Sequence, residues 1–237
     1  MTPFYTLIQQ RQFYWWLGHV CVFFNGLVYF SSVLSFHPNT ACYKRAYLGA
    51  LVSYAIVIYN SIGVTHTSLN RTFLSDENVH YFVIAFYWFS CPPMTVTLIP
   101  FFIFSLFHTL AFIRTHLFHT YIPTCSLVSQ LDSNIKYFID HQHKHAMYYV
   151  AYIEVVVIMT RIALGVIIWH TSVLALIVFT HFIRLRYCLS SYTQEAVHTA
   201  VFYLDDLLLA RNNPSPTVIS HIYSSIKRLV VRYAHIQ

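Results

Sequence analysis

Formal charge is the scarcest commodity in this sequence: only 9% of its 237 residues are Asp, Glu, Lys or Arg, against roughly 25% in soluble domains. So few charges leave too little polar surface to dress a water-soluble body of this size, because small folds hide only about two-thirds of their surface. Glycine is also rare. The five glycines, Gly18, Gly26, Gly49, Gly63 and Gly165, form neither a phosphate-cradling loop nor a GxxxG pair, so glycine-mediated helix crossings are not expected. Cys21, Cys42, Cys91, Cys125 and Cys188 make no CxxC and no metal-spaced set, and are read as reduced thiols rather than a disulfide framework. There is no HExxH, no nucleophile elbow and no carboxylate pair placed for acid–base work. These absences point away from an enzyme, and no cofactor and no metal are expected. The first sixteen residues lack a basic leader, a short apolar core and a small-residue cleavage site, so they do not read as a signal peptide.

What the chain has is apolar and aromatic mass, 57% hydrophobic and 18% aromatic. Formal charges are missing between Arg11 and Lys44, between Arg45 and Arg71, between Glu77 and Arg114, and between Arg161 and Arg184. Each gap holds the ~20 residues that a helix needs to cross about 30 Å of hydrocarbon. The expectation is an all-α, polytopic helical membrane protein made of helical hairpins, with a C-terminal amphipathic surface helix. Its membrane domain covers residues 1–209, with four to six embedded segments at about 16–36, 46–65, 80–91, 94–112, 147–169 and 173–189. The region 126–138 is expected to lie as a separate helix along the surface, and 195–209 as another at the interface. The net charge of +6 is scattered between apolar runs rather than gathered on one stripe. That favours anionic lipid headgroups over nucleic acid as the partner.

The stretch 79–112 is too long for one straight crossing and contains Pro92, Pro93 and Pro100. Proline removes an amide donor and clashes with the preceding turn, so these three mark a membrane-segment break. Either one kinked span or two segments turning at the prolines fits, and the pair is preferred. Asn212 to Pro216 reads as a hinge within 210–216, and 217–237 as the surface helix. There Ile219, Ile222, Tyr223, Ile226, Leu229, Val230 and Tyr233 recur three or four apart, with Lys227 and Arg228 on the polar side and Arg232 near its edge. Such a basic amphipathic helix suits a membrane surface.

Glu154 and Arg161 are the two formal charges deep within an expected span. Seven residues apart, they share a face about 10 Å apart along the axis. Charge in hydrocarbon costs on the order of 3 kcal/mol per group, so each needs a partner, either the other or a group on a neighbouring helix. The pair is read first as a polar clamp that holds the bundle. Arg184 and Arg186 form a basic exit from the last span, with long stems able to snorkel. The histidines of His141-Gln142-His143-Lys144-His145 alternate in a way that suits a strand, not a metal-binding helix.

Residues 81–117 and 152–208 carry a resemblance to the transmembrane protein 33 family, which includes fungal pore-membrane proteins. The first holds Pro93, Thr95, Pro100 and Phe104-Ser105-Leu106-Phe107-His108; the second holds Glu154, Arg184-Leu185-Arg186-Tyr187 and Ser190. The resemblance implies residence in the endoplasmic-reticulum membrane and nuclear envelope, with both termini cytosolic. It implies a non-enzymatic role in shaping and organising these membranes, including help in nuclear pore complex distribution or assembly. The implied partners are curved or anionic bilayer and reticulon-type or nuclear-pore membrane proteins; a homo-oligomer is compatible. Two other function classes remain open from the residues alone. One is a small transporter or channel using Glu154 and Arg161, which needs a watery path to both; the other is a scaffold for other membrane proteins.

Overall fold

The computed structural model describes residues 10–64, 76–118 and 126–209, and every regular element among them is helical. The hinge 210–216 and the expected surface helix 217–237, with Ile219 to Tyr233, lie outside the described residues. Among the described residues eight α-helices follow in order: α1 Arg11–Leu34, α2 Thr40–Val64, α3 Glu77–Ser90, α4 Leu98–Phe112, α5 Ser126–Tyr152, α6 Met159–Ile167, α7 Val173–Leu189 and α8 Ser191–Leu209. A 3-10 turn at Thr95–Thr97 leads into α4, and a π-helical segment, Ile113–Phe118, extends it. A second π segment, Ile153–Ile158, joins α5 to α6. The result is one continuous helical run from Ser126 to Ile167, 42 residues long. The surface helix expected at 126–138 is therefore not a separate element, because no proline or glycine interrupts the chain before Gly165.

Among the described residues three helices are long and apolar enough to cross a membrane: Arg11–Leu34, Thr95–Phe118 and Ser126–Ile167. The α7–α8 pair passes the same test together but bends by 116° at Ser190. The molecule is a polytopic helical membrane protein.

Local chemistry sets the helix ends. Asp76 caps α3 by accepting from the Asn78 amide at 2.9 Å, and Ser172 caps α7 by accepting from Leu174 at 3.2 Å. At the other ends the chain does without glycine. Phe36 and Trp169 sit at φ 59°, in the left-handed region, after α1 and α6. Both close the same pair of bonds: His37 N to Ser32 O and Phe36 N to Val33 O, then His170 N to Gly165 O and Trp169 N to Val166 O. These are Schellman caps built on residues that pay a steric penalty for the conformation. The two side chains are 90% and 93% exposed.

Packing is aromatic in one half of the molecule. Tyr43 and Tyr47 both hydrogen-bond the Thr97 hydroxyl, at 3.0 and 2.8 Å, while Tyr29 bonds Thr95 at 3.0 Å. Phe102 of α4 stacks on Phe23 of α1 and presses on Gly26, where a Cβ would come within 2.8 Å of its ring. α1 and α2 meet at Gly18 and Gly49: a Cβ on either would lie 2.7 Å from the other's carbonyl oxygen. A glycine crossing thus exists after all. It escaped the motif because each helix contributes one glycine rather than a spaced pair.

Contacts also fix the direction of each helix. Lys44, near the start of α2, donates to the carbonyl oxygens of Phe89 and, at 2.6 Å, Cys91 at the end of α3. Trp88 at the end of α3 packs on Phe179 near the start of α7, their ring centroids 6.0 Å apart. The turns at 35–39, 91–94 and 168–172 therefore lie toward one end of the bundle. The starts of α1, α3 and α8 lie toward the other.

Candidate functional site

Three elements converge on an ion cluster at the depth of Tyr81, with Glu154 and Arg186 buried and Glu77 at its open edge. Glu77 stands in the first turn of α3, just after its Asp76 cap. Glu154 is presented by the π segment, where one extra residue per turn rotates the side chain relative to a regular helix. Arg186 comes from the last turn of α7. Glu154 is only 1% exposed and Arg186 5%.

The Tyr81 hydroxyl donates to Glu154 Oε1 at 2.9 Å. Glu154 Oε2 lies 3.7 Å from Arg186 Nε. Arg186 Nη1 donates to Glu77 Oε2, and its guanidinium stands 5.0 Å over the Tyr81 ring. Tyr54 stacks on Tyr81, with centroids 5.7 Å apart. One guanidinium thus bridges two carboxylates from different helices, while a tyrosine supplies the hydrogen bond that the inner carboxylate needs. A buried charge is tolerable only when paired and hydrogen-bonded in this way. Chemically the cluster is a clamp: it joins α3, the α5–α6 run and α7.

The structure does not bring Glu154 and Arg161 together. Of the two partnerships open to Glu154, it takes the neighbouring helices; Arg161 lies exposed on the outer side of α6. Arg184 is half-buried and Arg186 buried, so the basic exit divides between two environments. Two residues apart on a helix means side chains pointing to nearly opposite sides. That spacing was the signal in the sequence that one of the two must face the bundle. Glu77 and Tyr81 carried no such signal, because their role depends on the register of α3 against α7.

Pro92 and Pro93 lie between the end of α3 at Ser90 and the 3-10 turn, both exposed. Pro100 does not break a helix. It is the third residue of α4, where the amide needs no partner within the helix. His141, His143 and His145 are exposed along α5, and no group of three or more metal-type side chains is placed for a metal among the described residues.

A cleft of about 1190 Å³ opens beside the cluster, between the starts of α1 and α3, the end of α2 and the middle of α4. Trp15, Asn60, Asp76, Glu77, Tyr81 and His108 are among its walls. Tyr81 and Glu77 are the members of the ion cluster that line it, so the tyrosine stands between the cleft and the buried Glu154. Arg114, in the π segment that extends α4, pairs with Asp132 at 3.2 Å and ties that segment to α5.

The sequence profile described as Transmembrane protein 33/Nucleoporin POM33 matches residues 4–235. The chain is 27% identical over 241 residues to Tetra-spanning protein 1 of Schizosaccharomyces pombe, covering 96% of this chain and 85% of that protein. It is 26% identical over 250 residues to the Pore membrane protein of 33 kDa of Saccharomyces cerevisiae, covering 97% and 85%. A shorter match, 33% identical over 156 residues, joins it to the Pore and endoplasmic reticulum protein of 33 kDa of the same yeast, covering 60% and 57%. No solved structure matches the chain significantly.

Proposed function

The chain belongs to the transmembrane protein 33/nucleoporin POM33 family, and we propose that it shapes and organises the membranes of the endoplasmic reticulum and nuclear envelope, aiding nuclear pore distribution or assembly. The observation that carries this reading is the near-full-length match to a protein named for the pore membrane, with a shorter match to one named for the pore and the endoplasmic reticulum. Two features of the chain support it. The α7–α8 bend of 116° lays a 19-residue helix, with Phe202 and Tyr203 exposed, across the direction of the spans. The sequence of 217–237 adds a second amphipathic segment, with Lys227, Arg228 and Arg232 suited to anionic headgroups.

Shallow helices add area to one leaflet, and hairpins of unequal length add it unevenly through the bilayer; both favour curvature. The starts of α1 and α8 share an end of the bundle, which agrees with both termini facing the cytosol. Reticulon-type and nuclear-pore membrane proteins are the partners this role would take. The transporter reading loses ground: Glu154 is sealed behind Tyr81, while Arg161 lies on an outer face, so the two do not share one pathway.

The test is loss of function in the cells that make the protein. Removal should redistribute nuclear pores and alter the balance of tubules and sheets. Restoring the chain should reverse both, whereas a chain with Ile222, Ile226 and Leu229 replaced by aspartate should restore them only partly. Unchanged pores and reticulum after removal would overturn the proposal.

A further inference from the structure

The two flanks of the bundle differ in length. α1 has 24 residues, about 36 Å at 1.5 Å per residue. Its exposed apolar side chains run from Tyr14 through Phe24 and Val28 to Phe36, about 33 Å along the axis. α3 has 14 residues, about 21 Å. α7 runs from Val173 to its first arginine, Arg184, in about 17 Å.

α3 and α7 lie side by side and antiparallel in register. Glu77 meets Arg186 at one end, Tyr81 packs on Phe182 at 5.4 Å, and Trp88 on Phe179 toward the other. Neither helix therefore extends the other's reach by much. Both ends of α3 are pinned by charge: Arg186 holds Glu77, and Lys44 holds the carbonyl oxygens of Phe89 and Cys91. On these two helices Val83, Phe86, Val173, Leu174 and Ile177 are exposed on the near side of Arg184, and Leu189 beyond it.

A hydrocarbon core of about 30 Å, or about 27 Å in the endoplasmic reticulum, is thicker than this flank can cover. A short apolar stretch is accommodated by thinning of the bilayer, by snorkelling or by association. The Arg186–Glu77 pair at one level and the Lys44 hydrogen bonds at the other hold α3 against α7 and α2 and leave it little freedom to tilt. We propose that the α3–α7 flank is a bilayer-thinning surface: lipid against it is drawn to a thickness near the length of these two helices, while lipid against α1 keeps its ordinary thickness. The partner of this surface is the acyl-chain region itself, and it prefers short chains. The inference deepens the membrane-shaping reading by giving it a gradient of thickness across one molecule, but it rests only on the spans lying in a bilayer.

The experiment uses the full chain in flat-walled large vesicles made from phosphatidylcholines with chains of 14, 16, 18, 20 or 22 carbons. Thermal unfolding and self-association, the latter by energy transfer between singly labelled copies, are read in each. The expected result is the highest unfolding midpoint at 14 or 16 carbons, with self-association rising steadily toward 22 as mismatched flanks pair to escape thick lipid. Arg184→Leu moves the first arginine of α7 on to Arg186, lengthens the apolar flank by about 3 Å and should move the optimum to longer chains; Arg184→Lys, which keeps the charge, should leave it in place. An optimum at 18 to 20 carbons for the unaltered chain would overturn the proposal, and so would identical optima for the leucine and lysine variants. Should Arg184→Leu fail to fold, the chain-length profile of the unaltered protein and of Arg184→Lys decides alone. Failure here would leave the pore and reticulum phenotypes untouched, so the two readings fall separately.

Discussion

The α1–α2–α4 half and the α3–α7 half of the molecule solve the same packing problem by opposite means. In the first, helices meet through a glycine contact, Gly18 against Gly49, and through tyrosine and threonine hydroxyls that find each other inside the bundle. No formal charge is buried there. In the second, α3 and α7 pack Tyr81 on Phe182 and Trp88 on Phe179 and add the ion cluster of Glu77, Glu154 and Arg186. Without water, apolar side chains gain little by leaving lipid for protein, so association rests on close packing and polar contacts. The aromatic half relies on packing and can extend through the full thickness. The ionic half relies on charges, and charges fix the depth at which its helices must stop.

The sharpest way to break this contrast is Arg186→Met. It leaves Glu154 buried without its cation, and the loss should be about 3–5 kcal/mol, read as a fall in the unfolding midpoint in detergent. Adding Glu154→Gln should recover much of it, since the damage lies in the stranded charge. If the single variant were as stable as the parent, the cluster would not be a clamp. Tyr81→Phe comes next: it removes one hydrogen bond to a carboxylate, about 1.5–3 kcal/mol, with the ring stack on Tyr54 retained.

In the other half, Gly49→Val should cost about 1–3 kcal/mol by overpacking, because the atom it meets is the Gly18 backbone oxygen, which cannot swing aside. Cross-linking across α1–α2 should weaken in that variant while contacts of α3 with α7 persist. The smallest effect is expected at Phe36, whose left-handed backbone a glycine would relieve. Phe36→Gly should shift stability by no more than about 1 kcal/mol, upward if the cap alone matters. A clear loss would show that the exposed ring is itself anchored in the interface.

How much of this could be read from residues alone follows the same divide. The all-helical, polytopic class came from composition and gaps in charge, which lipid dictates directly, and the end of α3 before Pro92 and Pro93 from the prolines themselves. Glu154 was legible as a buried charge needing a partner. Its choice of Arg186 over Arg161 was not, since that depends on the π segment and on the register of α3 with α7, both tertiary outcomes. The unbroken run through 126–167 was missed for a simpler reason: polarity changes along it at Ala146 while backbone structure does not. Pro100 was misjudged because proline is harmless in a first helical turn, and the position of that turn was set by the break before it.

The central claim is that this molecule shapes the bilayer in which it sits. It is tested most directly by reconstituting the full chain into giant vesicles, drawing a narrow tube from each and comparing protein density on the tube with that on the flat membrane. The account predicts several-fold enrichment on the tube, reduced when Ile222, Ile226 and Leu229 are replaced by aspartate. Equal density on tube and flat membrane at every tube radius would contradict it.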